Sequence, residues 1–506
     1  MTRMKRFLRS APPLLLLACL VGCGPRGLPA RTAETLRDYD PRRADWAGNY
    51  RLTASDDKAA DEVRAACESI RALAAAGRKL DTAVVDALWS FFARFRASRG
   101  DNCKLAKALH EAVVAVHDPS WGDKAIELLG QPATADLDWA WWQHSVAVEL
   151  VGELRYAPAL KPLILELLSY RLNLWNWAVD DETWVLVRCL LKMAPATERE
   201  LLKALEGSDS DYAQAVASDR HRANGKIVTM LAILSRPAGR DAILAALPTD
   251  DTSTAIMLMD ALEKFPRTAG TIAAYRTACE HLKPHEGEGP SSRCAGAAED
   301  AADFFDPDVT DWLLAQAASG DRVRTSACGS WTCAQQGGSA ATRAISAAVM
   351  VMPLTKKAAV GAAIETFRAS PDYKYLKAEF DDACRALDQC KTKADCYAAL
   401  VDEPIPDSRP WKAIKAAWMT VEYASESDRA AVRRDLSRRL KEVADAQVAI
   451  AVLKAIDALS PDGDSSVADT LDAIVTADAK TGDIPRRWID HRVAEVALRL
   501  RGRAAP

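Results

Sequence analysis

Four kinds of signal are missing from this chain of 506 residues. There is no excess of positive charge: 66 Lys and Arg stand against 70 Asp and Glu, so the basic footprint of a nucleic-acid binder is lacking. Alternation of apolar and polar residues is nearly absent, and β-branched residues are not clustered, which leaves little room for sheet. No apolar run approaches the roughly 20 residues that a membrane-crossing helix needs. Catalytic motifs are missing too: no G-x-S-x-G or H-E-x-x-H occurs, and Gly225-Lys226 lacks the upstream glycine of a phosphate loop.

What is present is helical periodicity. Alanine and leucine dominate, and both favour helix. Apolar residues recur at i, i+3, i+4 and i+7 from about residue 57 onward. Ala147, Leu150, Val151 and Leu154 form one such stripe, and Ile227, Met230, Leu231 and Leu234 another. The stripes come in pairs separated by a proline: Pro158, Pro237, Pro266 and Pro353 each end one stripe shortly before the next begins. Proline stops a helix because it lacks the amide hydrogen and crowds the preceding turn. Equivalent points recur every 30 to 45 residues or so, the range of helical repeats. A single pair cannot bury both its faces, so neighbours must stack.

The segments HSVAVELVGELRYAPALKPLILELL (144–168) and KIVTMLAILSRPAGRDAILAAL (226–247) resemble HEAT repeats, each reading as a second helix, a short turn and the first helix of the next unit. The resemblance is good over 120–280 and weaker over 340–500, where small residues and the family's arginine are often missing. It implies an all-α, right-handed α-solenoid of helix pairs, with 283–300 and 328–338 as breaks that would divide it into two arrays. HEAT arrays are mostly binding scaffolds, and some relatives act as phycobilin lyases, so the motif specifies packing more than chemistry.

The first residues carry a different resemblance. Arg3, Lys5, Arg6 and Arg9 precede a short apolar run from Ala11 to Val21, then Leu20-Val21-Gly22-Cys23. A basic start, a short apolar stretch and a small-residue stop describe a secretory signal. This one resembles the lipobox of bacterial lipoproteins, which implies cleavage before Cys23 and lipid on its thiol. Several acyl chains would hold the protein firmly to a membrane. Gly24 stands where an aspartate often retains such proteins at the inner membrane, so the outer membrane is favoured, with the body periplasmic or surface-facing. Loss of residues 1–22 would take the formal charge from −4 to −8.

The expected organisation is therefore a signal over 1–22, a lipidated tether over 23–56, a helical array over 57–285, an irregular disulfide-containing connection over 286–340 and a second array over 341–506. As a flexible coil the tether would reach roughly 30 Å, unless Tyr39, Trp46 or Tyr50 dock it on the body. Ten cysteines follow Cys23, an even number that reads as disulfides in an exported protein. Cys279–Cys294, Cys328–Cys333 and Cys390–Cys396 are the favoured local pairs, Cys67 and Cys103 are candidates to join neighbouring helices, and Cys189 reads as a buried thiol. Cys279, His281, His285 and Cys294 match no common zinc spacing, and disulfide is the favoured reading there. Arg433, Arg434, Arg438, Arg439 and Lys441 are interleaved with acids and read as a solvated face.

No catalytic, cofactor or metal residue is assigned. Trp139, Trp141, Trp142, Trp175, Trp177 and Trp184 crowd one region, where core packing competes with partner binding. Trp139, Trp142 and Trp177 are the candidate partner contacts. The function expected is a membrane-anchored envelope scaffold that binds a protein on its concave helical surface. The alternative is a repeat-built enzyme or a cofactor- or metal-handling protein.

Overall fold

A computed structural model describes residues 28–39, 54–95, 104–130, 138–169, 181–249, 251–266, 268–281, 308–319, 339–401, 411–443, 445–478 and 484–505. Among these residues the regular structure is α-helix with a few single 3-10 turns, and no strand occurs. Contact density divides the chain into two compact units. One takes the described residues through Glu166 together with 181–193; the other takes 167–169 and everything described from Ala194 on.

The first unit runs α1 (Leu28–Asp38), α2 (Ala54–Ala75), α3 (Thr82–Arg94), α4 (Lys104–Val116), α5 (Gly122–Leu129), α6 (Asp138–Glu153), the start of α7 (Leu160–Leu168) and α8 (Asp181–Lys192). The second helices α2, α4, α6 and α8 pack in sequence, each on the next but one. The first helices lie against them, α3 beside α4 and α5 beside α6. This is the stacked-pair arrangement that the paired apolar stripes predict. Local chemistry sets the ends. Asp81 accepts the Ala83 amide at 2.8 Å to cap α3. Arg155, with φ 47°, ends α6 in the left-handed region, and the Tyr156 amide donates to the Val151 carbonyl. Pro158 lies in the 3-10 turn that restarts the chain as α7.

Two expectations for this unit are corrected. Residues 28–38 are not flexible tether: they form α1, which packs on α3. Ala33 and Leu36 are buried there, Arg94 donates to the Leu36 carbonyl at 2.6 Å, and Tyr39 meets Phe91 edge-on. Cys67 is a free thiol and does not bridge to Cys103, which lies outside the described residues. It is sealed inside the unit, where burial pushes its pKa up to about 12 and Glu68 adds to the effect.

The second unit runs α9 (Ala194–Glu206), α10 (Ser210–Ser218), α11 (Arg220–Leu234), α12 (Pro237–Ala246), α13 (Thr252–Leu262), α14 (Ala269–His281), α15 (Val309–Ser319), α16 (Ala340–Val351), α17 (Lys357–Glu365), α18 (Tyr373–Cys390), α19 (Ala394–Leu400), α20 (Trp411–Tyr423), α21 (Arg429–Arg439), α22 (Ala446–Ala458), α23 (Ser465–Asp478) and α24 (Ile484–Ala504). Aspartate recurs as the N-cap: Asp209, Asp219, Asp251 and Asp445 each accept a first-turn amide of α10, α11, α13 and α22. Such a cap contributes about 1 kcal/mol. Pro237 opens α12 at its first turn, where no amide is needed. Glu198 reaches over from α9 to accept the Gly239 amide of that turn at 2.8 Å.

Within this unit α9, α11 and α13 stack in sequence, and so do α16, α18, α20, α22 and α24. Arg276 of α14 donates to the Asp308 carbonyl at 3.0 Å and lies over Trp312 of α15. The last helix then returns to the first part of the unit, because α24 packs on α11. Described residues on both sides of the 286–340 connection thus fall in one compact unit. A methyl on Gly502 would stand 2.6 Å from the Leu234 carbonyl oxygen, so only glycine permits this approach.

Candidate partner-binding surface

The outward faces of α2, α4, α6 and α8 arise from the same periodicity that builds the core. On α4, Leu105, Leu109, Ala112 and Val113 point inward, which leaves Lys107, His110 and Glu111 outside. On α6, Val146, Ala147, Leu150 and Val151 are buried and Glu149 and Glu153 face out. On α8, Leu186, Val187, Leu190 and Leu191 are buried, and Arg188 and Lys192 face out.

These side chains meet across consecutive helices. Arg71 of α2 pairs with Glu111 of α4. His110 of α4 donates through Nε2 to Glu149 of α6 at 2.7 Å. Glu153 of α6 pairs with Lys192 of α8. The result is a ladder of alternating charge that runs over four helices, with every member between 30 and 47% exposed. Glu149 sits below the usual carboxylate range because His110 hydrogen-bonds it; burial opposes this, and the charges of His110, Lys192 and Arg188 reinforce it. His144 makes a second histidine–carboxylate pair, to Glu166 of α7 at 3.1 Å. Half-exposed pairs of this kind contribute about 1 kcal/mol or less, so a partner's charges can compete for them.

Trp142 lies elsewhere on α6. It is half-buried, 5.6 Å from the Phe92 ring and 5.5 Å from Phe95. Its neighbour Gln143 is buried and donates to the Phe92 and Phe95 carbonyls at 2.8 and 2.9 Å, closing the end of α3. These two residues thus join α6 to α3. Trp139 is on α6 with its side chain outside the described residues, and Trp177 lies outside them altogether.

Among the cysteines, Cys390 at the end of α18 is bonded to Cys396 in α19, with sulfurs 2.02 Å apart. Cys279 is disulfide-bonded, which removes it as a thiolate ligand. His281 is exposed and donates through Nδ1 to the Thr277 carbonyl at 2.7 Å. Cys294, Cys328 and Cys333 are outside the described residues, as is Cys23. Cys189 is buried, free and held at about 12 by desolvation. The basic helix α21 is largely neutralised in place: Arg433 binds Asp464 at 2.6 Å, and Arg438 and Arg439 both bind Asp435.

The second unit holds a cleft of about 590 Å³ between α12, α13 and α14, where Leu244, Leu247 and Ala255 are joined by Thr252, Thr277 and His281. The ladder and the cleft both escape the sequence reading. Acids or bases four apart inside apolar stripes, Glu149–Glu153 and Arg188–Lys192, were the signal available for the ladder. The cleft left little signal, since Thr249, Thr252, Thr277 and His281 form no motif among the alanines and leucines of its walls.

No family model and no curated protein matches the chain. Solved helical structures align with it loosely. A structure of Kap95p with RanGDP shares 10% identity at a TM-score of 0.34, covering 93% of this chain. The karyopherin Kap121p bound to the SUMO protease Ulp1p shares 10% identity at 0.29, covering 92%. An engineered protein shares 14% at 0.24, covering 86% of this chain and 99% of its own. This chain spans 66% of the first structure's length and 53% of the second's. The assignment to stacked helix pairs rests on the chain's own packing.

Proposed function

We propose that the protein is a membrane-anchored scaffold of the bacterial cell envelope, which holds a protein partner against the second-helix face of its first unit. The observation that carries this reading is the ladder from Arg71 to Lys192. It sets paired, half-exposed charges along four consecutive helices, a surface that can read an extended complementary partner. The anchor rests on the lipobox-like Leu20–Cys23 segment and on the length of the apolar run before it.

Photo-crosslinking residues placed at Lys107 and Arg188, on this face, and at Asp86 and Ser90, exposed on α3, provide the test. The same discrete adduct should form from the first two positions and not the others, and it should weaken in high salt. Equal yields from both faces would remove the surface assignment. The anchor is checked separately, by mass spectrometry of the mature N-terminus: any start other than an acylated Cys23 removes it.

A further inference from the structure

The turn between α18 and α19 is closed by the Cys390–Cys396 disulfide and holds a residue in an unfavourable conformation. Lys391 has φ 55° and ψ −110°. Ser235, which also has a positive φ, sits in the ordinary left-handed region at ψ 37°. Lys391 does not: its φ and ψ belong to the first central position of a mirror-image turn, where glycine is the usual residue. The turn is real by its hydrogen bond, because the Lys393 amide donates to the Cys390 carbonyl at 3.2 Å. Such a conformation is costly for a lysine and persists only where the surroundings impose it. Both flanks are fixed here. The Lys391 amide still donates to the Leu387 carbonyl at 2.8 Å, completing the last turn of α18. Tyr397 of α19 is buried and stacks on Tyr423 of α20 with ring centroids 5.4 Å apart. The disulfide ties the two flanks together across Lys391, Thr392 and Lys393, which are all exposed.

We propose that the Cys390–Cys396 disulfide is a redox-sensitive switch, reduced by a dithiol while the protein stays folded, and that Lys391 tunes it. Cutting the bond lets Lys391 return to a negative φ, so reduction is favoured by the backbone cost that the closed turn carries. Cys390 is 3% exposed, whereas Cys396 is half-buried and is the partner that a reductant can reach. A thiolate of the dithiol attacks Sγ of Cys396, and Sγ of Cys390 leaves with the electron pair and takes up a proton. The second thiolate of the donor then displaces Sγ of Cys396, which is protonated in turn. Two electrons and two protons pass to the protein, and the donor departs as its own disulfide. The change is local. α19 stays seated on α20 through Tyr397, and the exposed turn with its two lysines takes a different shape.

Redox titration of the full chain tests the switch. The protein is equilibrated in graded mixtures of reduced and oxidised dithiothreitol, alkylated without denaturant and mapped by peptide mass. Cys390 and Cys396 should become labelled together, while the helical circular dichroism holds and the buried free thiols Cys67, Cys189 and Cys384 stay unlabelled. Lys391→Gly removes the backbone cost and should need about tenfold more reduced over oxidised dithiol at the midpoint. Lys393→Gly is the control for added chain flexibility: Lys393 has φ −99°, so this variant should not move the midpoint in that direction. Labelling of Cys390 and Cys396 only where Cys67, Cys189 and Cys384 react as well overturns the proposal. So does an unmoved midpoint in Lys391→Gly, or the same shift from Lys393→Gly.

Discussion

The charge ladder of the first unit and the buried pairs between α22 and α24 in the second use ion pairs for opposite ends. In the ladder, arginine, histidine, lysine and glutamate stand about a third exposed, and each pair touches water. Between α22 and α24, Arg499 and Arg503 are 9 and 4% exposed, and Asp457 12%. Burial changes what a charge does. An exposed pair gains little and can be exchanged for a partner's charge, whereas a buried one must remain paired because the desolvation cost has already been met. Presentation and fastening are thus separated by solvent, with no change of chemistry.

The sharpest way to break this contrast is Asp457→Ala. It leaves Arg499 and Arg503 without their shared carboxylate, and the second unit should lose about 3–5 kcal/mol in urea unfolding. A loss under 1 kcal/mol would put these α22–α24 pairs on the same footing as the ladder. Trp142→Ala comes next: it empties a half-buried contact with Phe92 and Phe95, and about 2–3 kcal/mol should be lost from the first unit. Retained stability with a lost crosslink would instead return Trp142 to the partner face.

Lys415 sharpens the burial argument through pH. It is fully buried on α20 and donates to the Met350 and Met352 carbonyls at 2.7 Å each. Desolvation pulls its pKa down to about 7, against the opposing pull of Glu422 and Cys384. Above that value the folded protein carries a neutral amine while the unfolded chain stays protonated to about pH 10. The unfolded state therefore binds more protons, and stability rises with pH in that window. Wild type should gain on Lys415→Met by up to about 1.4 kcal/mol per pH unit between about pH 7 and 10. A flat difference would mean the ammonium stays charged inside the fold.

The smallest effect belongs to Glu149→Gln. At pH 7 it should cost about 1 kcal/mol or less. Because the folded pKa is depressed, Glu149's contribution is full above the unfolded value near 4.3 and fades as pH falls below it. The variant and wild type should therefore converge in acid. A persistent gap at pH 3 would show that Glu149 acts through packing rather than charge.

Much of the fold could be read from local chemistry. Pro158, Pro237 and Pro353 mark turns between packed helices, and the aspartates before α10, α11, α13 and α22 cap them. Ala147, Leu150 and Val151 of one stripe and Ile227, Met230, Leu231 and Leu234 of the other are buried as their spacing requires, while Leu154 at the helix end is only half-buried. Residues 28–38 were misjudged because eleven residues with Pro29 and few apolar side chains give a weak period, and docking on α3 supplies what the period lacks. Cys67 was misjudged because an even cysteine count carries no geometry.

Sequence alone determined that the chain is helical, that the helices pair, and where most turns fall, since capping, proline and the 3.6-residue period act within a few residues. It also set the lipobox-like start on which the anchor proposal rests. Tertiary structure decided which helices far apart in the chain meet. Gly502, Arg503 and Arg236 look like ordinary helix and turn residues until the ends of α11, α13, α22 and α24 converge on them, because the field of those ends exists only once the chain has brought them together.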